Sequence, residues 1–193
     1  MNKKLGCVIM ASGQSKRFGS NKLLAEFDGK TLIQRILNST ESVFDKRVVL
    51  TRTQEVVALC REQKVEVIYH NYPYRNDAIK LGVDYMQEMD AIVFCPSDQP
   101  LLSRESLGLM KKEFDGSEKE ILRMCTENKQ GTPVLFGKAY FEDLKKLPEK
   151  KGGSYLLGKY PERIKKIKAF DENELFDVDS LEDFVNLLSV IRN

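Results

Sequence analysis

Three groups of side chains in this chain have the types and spacing to handle charged oxygen ligands. From Ser12 to Ala25 there is no acidic side chain, while Lys16, Arg17 and Lys22 stand among glycines, serines and one asparagine. The residues just before, Leu5 to Met10, form a short apolar run with β-branched Val8 and Ile9, which reads as a buried strand. A loop at the carboxyl end of such a strand turns backbone N–H groups toward an anion, and the cations add charge; polyphosphate suits it. The second group centres on Asp98, in Cys95-Pro96-Ser97-Asp98-Gln99-Pro100-Leu101-Leu102, directly after the apolar strand Ala91 to Cys95. Open α/β sheets bind ligands at that end of the strand. A carboxylate there suits Mg²⁺, which takes one or two carboxylates together with phosphate oxygens and water. The third group is Phe176-Asp177-Val178-Asp179-Ser180, where Asp179 precedes a helix and reads as a second metal carboxylate ahead of the alternative, a helix cap.

These residues need a scaffold that brings residues 12–22, 98 and 177–179 to one rim. Apolar positions at helical spacing predict a helix over Thr31–Val43, with Thr31 as its cap, and others over Gln54–Gln63 and Asp77–Met89. Strands are expected at Lys46–Arg52, Val65–Tyr69 and Ala91–Cys95. The alternation argues a sheet covered on both faces, an α/β fold with right-handed crossovers. Further on, Ser103 caps a helix carrying Leu107, Leu109, Met110 and Phe114. Strands at Ile121–Cys125 and Thr132–Phe136 flank the polar turn Glu127–Gly131, and a helix runs over Gly137–Leu147. A strand at Ile164–Phe170 then leads to a closing helix with Leu181, Phe184, Leu187, Leu188 and Ile191 on one face.

Size and composition narrow the class. A chain of 193 residues is expected to be one domain with its own core. With 31 basic and 29 acidic residues the formal net charge is only +2, which supplies no broad field for nucleic acid. Cys7, Cys60, Cys95 and Cys125 are far apart, without a Cys-x-x-Cys pair, and read as small buried hydrophobes in a reducing compartment. No run approaches the roughly 20 apolar residues of a membrane span, and no signal peptide is evident at the amino terminus, so a cytoplasmic location is expected. His70, the single histidine, has no Ser, Cys or carboxylate pair beside it that would define a triad, and reads as a satisfied loop residue.

Spacing tests exclude two familiar phosphate loops. Gly13 and Gly19 are separated by five residues and Ser20 follows, so the P-loop pattern fails, and no glycine lies two positions from Gly13, so the dinucleotide fingerprint fails too. The stretch Ala11, Ser12, Gly13, then Arg17, Gly19 and Lys22, instead resembles the signature of the nucleotidyltransferases of the molybdenum-cofactor and sugar-nucleotide type. Phe18 and the Asn21-Lys22-Leu23-Leu24 ending are similar to the molybdenum cofactor cytidylyltransferase branch, a MobA-like NTP transferase domain. Asp98-Gln99-Pro100-Leu101 resembles the family's metal aspartate motif, and residues 176–184 its closing Asp-Ile-Asp segment. The resemblance implies a three-layer α/β/α Rossmann-like nucleotidyltransferase fold with a mainly parallel mixed sheet, residues 1–102 binding nucleotide and residues 103–193 binding acceptor. It implies Arg17, Lys22 and Asp98 as catalytic residues. Ala11, Ser12, Gly13, Arg75 and Asn76 would join them around the nucleotide, and Asp98 and Asp179, or less readily Asp177, would hold Mg²⁺. The implied reaction moves CMP from CTP to molybdopterin, for a molybdoenzyme client, with GTP or a sugar or polyol phosphate as alternative substrates. A non-catalytic carrier for a cofactor is the competing class.

Two departures from the family pattern stand out. Thr132, in Gly131-Thr132-Pro133, occupies a position that is often His or Asn there. The serine-rich loop expected before Ile79 is missing, and Arg75 and Asn76 stand as its candidate replacements. Lys150, Lys151 and Gly152 read either as a clamp for the acceptor phosphate or as an ordinary polar turn opening a helix.

Overall fold

The computed structural model describes residues 3–13, 15 and 17–190. Lys16, one of the three loop cations, and Ile191, the last apolar position of the closing helix, lie outside the described residues. Along the chain come strand β1 (Leu5–Ala11), a short hairpin of β2 (Glu26–Phe27) and β3 (Lys30–Thr31), helix α1 (Leu32–Thr40) and strand β4 (Lys46–Thr51). They are followed by α2 (Gln54–Glu62), β5 (Val67–Tyr69), α3 (Arg75–Tyr85), β6 (Ala91–Pro96) and α4 (Arg104–Glu113). The second half adds β7 (Ile121–Cys125), β8 (Gln130–Gly137), α5 (Phe141–Lys145), α6 (Ser154–Lys159), β9 (Ile164–Lys168) and α7 (Leu181–Val190).

Seven of the strands form one sheet in the order β5-β4-β1-β6-β8-β7-β9. Its pairings are parallel except at β8, which runs against both β6 and β7. The two central strands, β1 and β6, are buried almost throughout, which is why they read as unbroken apolar runs. Successive β1 side chains face opposite layers. Val8 packs with Ile79 and Val83 of α3 and with Phe141 and Leu144 of α5, whereas Cys7 and Ile9 pack with Ile33, Ile36 and Leu37 of α1 and Val56 of α2. The result is a helix–sheet–helix sandwich of the expected kind. Gly82 lets α3 lie close on β1: a Cβ there would come within 2.9 Å of Val8 Cγ1.

Several boundaries differ from expectation, each for a local reason. Helix α1 begins after Thr31, which is its cap: Thr31 Oγ1 accepts from the Gln34 N–H at 3.3 Å and Gln34 Oε1 accepts from the Thr31 N–H at 2.8 Å. It stops at Thr40, short of Val43, as the chain turns through Ser42 at φ +60°. Helix α3 starts two residues earlier than expected and so takes in Arg75 and Asn76, while the third strand is trimmed to Val67–Tyr69. The helix expected over Gly137–Leu147 shrinks to α5 because Gly137 is the last residue of β8, paired with Ala91, and a 3-10 turn over Lys138–Tyr140 follows. The late strand ends at Lys168 rather than Phe170. The β2–β3 hairpin was not anticipated; its Asp28-Gly29 turn has φ of +50° and +71°, the left-handed pair that such two-residue turns require.

Candidate active site

The carboxyl ends of β1, β4 and β6 are tied together at one rim of the sheet. Ser97 Oγ donates to the Met10 carbonyl at 2.9 Å, Thr51 Oγ1 to the Ala11 carbonyl at 3.1 Å, and Ser12 Oγ to the Leu50 carbonyl at 3.0 Å. Above this rim lie two adjoining clefts of about 440 and 370 Å³, which share Met10, Gly13 and Arg75 in their walls. The larger is lined by Lys22, Asp98, Asp177 and Asp179, together with Arg123 and Lys129. The smaller is bounded by Ser12, Arg52, Tyr72 and Tyr74.

Lys22 is the centre of the larger cleft. It opens a short 3-10 turn capped by Asn21, whose side chain accepts from the Leu23 N–H, and it is buried. Its ammonium donates to Asp98 Oδ2 at 2.9 Å, to Asp179 Oδ1 at 2.9 Å and to the Val178 carbonyl at 2.7 Å. Burial alone would depress the ammonium, but Asp98 and Asp179 outweigh it and hold its pKa above the ordinary value. The Lys22 hydrogen bond in turn holds the Asp179 carboxyl below its usual range, with Arg17 adding to the effect. Arg17 is largely exposed and reaches Asp179 Oδ2 with one guanidinium nitrogen at 2.8 Å.

Two further contacts fix this arrangement. The Val178 N–H donates to the Asp98 carbonyl at 2.9 Å, so the segment before α7 lies along the loop after β6. Phe18 of the glycine loop is buried edge-on against Phe184 of α7, ring centroids 5.8 Å apart, in a cluster with Phe27, Leu32, Val178 and Leu187. The glycine loop and the closing helix therefore share one apolar anchor. Glu174, a buried carboxylate, accepts from the Ser103 N–H and hydroxyl at 2.8 Å each, from the Ser106 hydroxyl at 2.7 Å and from the Asp171 N–H at 3.2 Å. It pins the segment leading to Asp177 and Asp179 onto the amino end of α4.

The expected residues fall into distinct places. Arg17, Lys22, Asp98 and Asp179 meet, and Ser12 and Gly13 line the smaller cleft. Asp177 is turned away from Lys22: it accepts from Lys129 Nζ at 2.7 Å and from Gln99 Nε2 at 2.9 Å. The same Gln99 nitrogen donates to Thr132 Oγ1 at 3.1 Å, so the threonine at the departed position is held by the Asp98-Gln99-Pro100 turn. Ala11 is buried below the rim, and its contribution is its carbonyl on Thr51. Arg75 lines both clefts, but Asn76 lines neither: it donates to Asp77 Oδ1 and accepts from the Lys150 N–H at 3.0 Å. Lys150 and Lys151 also stay outside both clefts, whereas Gly153 and Ser154 enter the wall of the larger one. The roles of Phe184, Glu174, Gln99 and Lys129 went unseen in the sequence, since each acts across a long chain separation.

The donor set fits a hard divalent cation. Asp98 and Asp179 already converge on one cationic nitrogen, and a backbone carbonyl completes the oxygen group around it. Among the described residues no cluster of three or more His, Cys, Asp or Glu side chains forms a self-sufficient metal site. Two carboxylates suffice for a cation that takes its remaining oxygens from phosphate and water.

Comparison with known proteins places this geometry. A nucleotidyl transferase from Methanothermobacter thermautotroptrophicus superposes with a TM-score of 0.85 at 19% identity over 100% of both chains. A cytidylyltransferase from Leptospira borgpetersenii gives 0.78 at 22% identity, covering 99% of this chain and 87% of the other. At these identities the likeness is one of fold. In sequence the chain is 27% identical over 200 residues to a bifunctional protein GlmU of Thermosipho africanus, covering 95% of this chain and 44% of that protein. It is 33% identical over 125 residues to a probable molybdenum cofactor guanylyltransferase of Bacillus cereus, 60% of each chain. The chain thus spans about half the length of such curated relatives. A family model described as the MobA-like NTP transferase domain matches residues 7–164, and the chain belongs to that family.

Proposed function

We propose that the protein is a nucleotidyltransferase that moves a nucleoside monophosphate from a nucleoside triphosphate to a phosphorylated acceptor of the molybdopterin class and releases pyrophosphate. The observation that carries this reading is the convergence of Asp98 and Asp179 on Lys22 beside the glycine loop, in the wall of the larger of two adjoining clefts. In it, residues 1–102 hold the donor, joined by Asp179 from the second half, and residues 103–193 supply most of the acceptor side.

Lys22 and Arg17 bind the triphosphate and offset the charge that gathers on departing pyrophosphate. Asp98 and Asp179 would hold Mg²⁺, which when bound would supply Lewis-acid polarisation of the phosphate oxygens. A phosphate oxygen of the acceptor attacks the α-phosphorus in line; the new P–O bond forms as the α–β bridging bond breaks, and the electron pair leaves with pyrophosphate. The acceptor phosphate is already ionised, so the chain need not remove a proton and its main task is alignment. Arg123 and Lys129, in the wall of the larger cleft, supply charge for the acceptor, and the Gln99–Thr132 hydrogen bond fixes the same wall.

CTP is the donor favoured by the Asn21-Lys22-Leu23-Leu24 ending. GTP is the second reading, favoured by the curated relatives named guanylyltransferase. Four free, buried cysteines support a reducing compartment and hence the cytoplasm. No helix among the described residues is long and apolar enough to cross a membrane. Release of product to a molybdoenzyme is the natural next step. Pyrophosphate release measured with each of the four nucleoside triphosphates, with and without a pterin acceptor, tests the proposal. Acceptor-dependent release with CTP or GTP supports it and chooses between them. Binding without release under every combination would favour a carrier.

A further inference from the structure

His70 directly follows β5, where the sequence suggests a satisfied surface or loop residue, and it is only 6% exposed. Both ring nitrogens are engaged. Nδ1 accepts from the Tyr72 N–H at 3.2 Å, and Nε2 lies 2.7 Å from Ser12 Oγ. Ser12 Oγ is also 3.0 Å from the Leu50 carbonyl, which can only accept, so the hydroxyl hydrogen points there and Nε2 carries the ring proton toward Ser12. The ring further stacks on Tyr72, with centroids 5.6 Å apart. A continuous chain of polar contacts therefore runs from the Leu50 carbonyl through Ser12 and His70 to the Tyr72 backbone. Ser12 and Tyr72 both wall the smaller cleft.

We infer that His70 is a positioning residue for the nucleotide, fastening the first residues of the glycine loop to the Tyr72 wall of the smaller cleft in its neutral form only. The inference rests on the donor reading above and adds to it a named link in the region where the family's serine-rich loop is missing. A doubly protonated ring would aim an N–H from Nδ1 at the Tyr72 N–H, two donors with no acceptor between them, and that side of the link would open. The surroundings keep the ring neutral: burial lowers its pKa, Arg52 beside it lowers it further, and Asp77 on α3 opposes them without reversing the direction. The contribution is complete above the ordinary histidine value of about 6.5 and is lost as pH falls through the lower value of the folded protein.

The experiment measures binding of each of the four nucleoside triphosphates with Mg²⁺ by calorimetry, at about pH 7.5, above the ordinary histidine value, and at an acid pH where NMR of the free protein shows the His70 ring protonated. The proteins are wild type, His70→Gln, His70→Ala, Ser12→Ala and the double variant Ser12→Ala/His70→Ala, each with a thermal melt. His70→Gln keeps a donor for Ser12 and cannot titrate, so its curve separates the histidine from the triphosphate's own protonation. At the higher pH the preferred triphosphate is expected to bind roughly tenfold more weakly to His70→Ala, about the loss for one structured polar link, with Gln restoring most of it. Ser12→Ala combined with His70→Ala should add little to either alone, as members of one chain of contacts do. Acidification should weaken wild type several-fold more than His70→Gln. Equal binding by His70→Ala and wild type, with only a lower melting temperature, would overturn the inference and leave His70 a packing residue. So would parallel acid losses in wild type and His70→Gln. If His70→Ala does not fold, the Gln and Ser12 variants decide the same question. Should wild type bind none of the four triphosphates, the donor reading itself falls and this inference with it.

Discussion

Lys22 and Asp179, 157 positions apart in the chain, meet at 2.9 Å through Nζ and Oδ1, and Asp98 Oδ2 accepts from the same ammonium at 2.9 Å. A lysine thus occupies the point at which a divalent cation would join the two carboxylates.

Removal of that ammonium leaves the two carboxylates with only the exposed Arg17 guanidinium, on Asp179, as counter-charge. Lys22→Met should bind free Mn²⁺ more tightly than wild type, by about tenfold, as expected when roughly 1.4 kcal/mol of competing attraction is removed. Electron paramagnetic resonance of the free ion reads this directly. Turnover should fall at the same time by two or more orders of magnitude, since charge stabilisation of the leaving group is lost. An unchanged Mn²⁺ affinity would show that the lysine does not compete for the carboxylates.

Asp98→Asn should abolish metal-dependent pyrophosphate release while barely changing the fold. The Asp98 carbonyl, not its side chain, receives the Val178 N–H, so the segment before α7 keeps its main-chain anchor. A thermal melt within a few degrees of wild type, together with lost release, is the expected pair of results. Unaffected release would refute the metal assignment.

Phe18→Ala should loosen the glycine loop from α7. The ring is 5% exposed and packs on Phe184, so truncation is expected to cost about 3 kcal/mol. The cost should be accompanied by a higher KM for the triphosphate, because the loop that bears Arg17 loses its apolar tether. Chemical denaturation and steady-state kinetics check the two halves of the statement separately.

Glu174→Ala leaves the Ser103 and Asp171 N–H groups and two hydroxyls without their acceptor. The expected loss is about 2 kcal/mol, since orphaned buried donors carry their full desolvation penalty, or roughly 4–8 °C in Tm for a chain of this size. A much smaller shift would mean that water takes over these donors.

Acid should act on Asp179. Its carboxyl is held below the ordinary aspartate value by the Lys22 hydrogen bond, so the native state binds its proton later than the unfolded chain does. The stabilisation is complete above the unfolded value of about 3.9 and is lost as pH falls through the lower folded value. Asp179→Asn should therefore flatten the acid limb of a stability–pH curve and leave the neutral region the less stable of the two proteins. Superimposable acid limbs would contradict this.

The strands and helix caps were legible because their causes are local. Val48 and Val49 in β4, Ile92 and Val93 in β6 and the caps Thr31 and Ser103 declare themselves within a few residues. The glycine loop and Asp98 could be found for the same reason, as each follows a recognisable buried strand. The β2–β3 hairpin was missed because two-residue strands carry no periodicity, although Asp28-Gly29 is a strong turn signal on its own. Gly137 reads in sequence as the start of a helix because nothing nearby shows that it pairs with Ala91 across the sheet. Asp177 and Asp179, two positions apart in one motif, could not be separated by spacing; Lys129 claims one and Lys22 the other. His70 reads in sequence as satisfied, and it is, but its partners Ser12 and Tyr72 give that satisfaction a direction along the rim.

The reversed course of β8 has a consequence for how such a protein can diversify. Because the strand enters the sheet from the end at which its neighbours finish, its first residues, Gln130 to Thr132, arrive beside the turn that carries Asp98 and Gln99. Edits to residues 126–132 would reshape what docks opposite the triphosphate while leaving the Ser12–Lys22 cradle intact. One backward strand lets the two sides of the cleft drift separately.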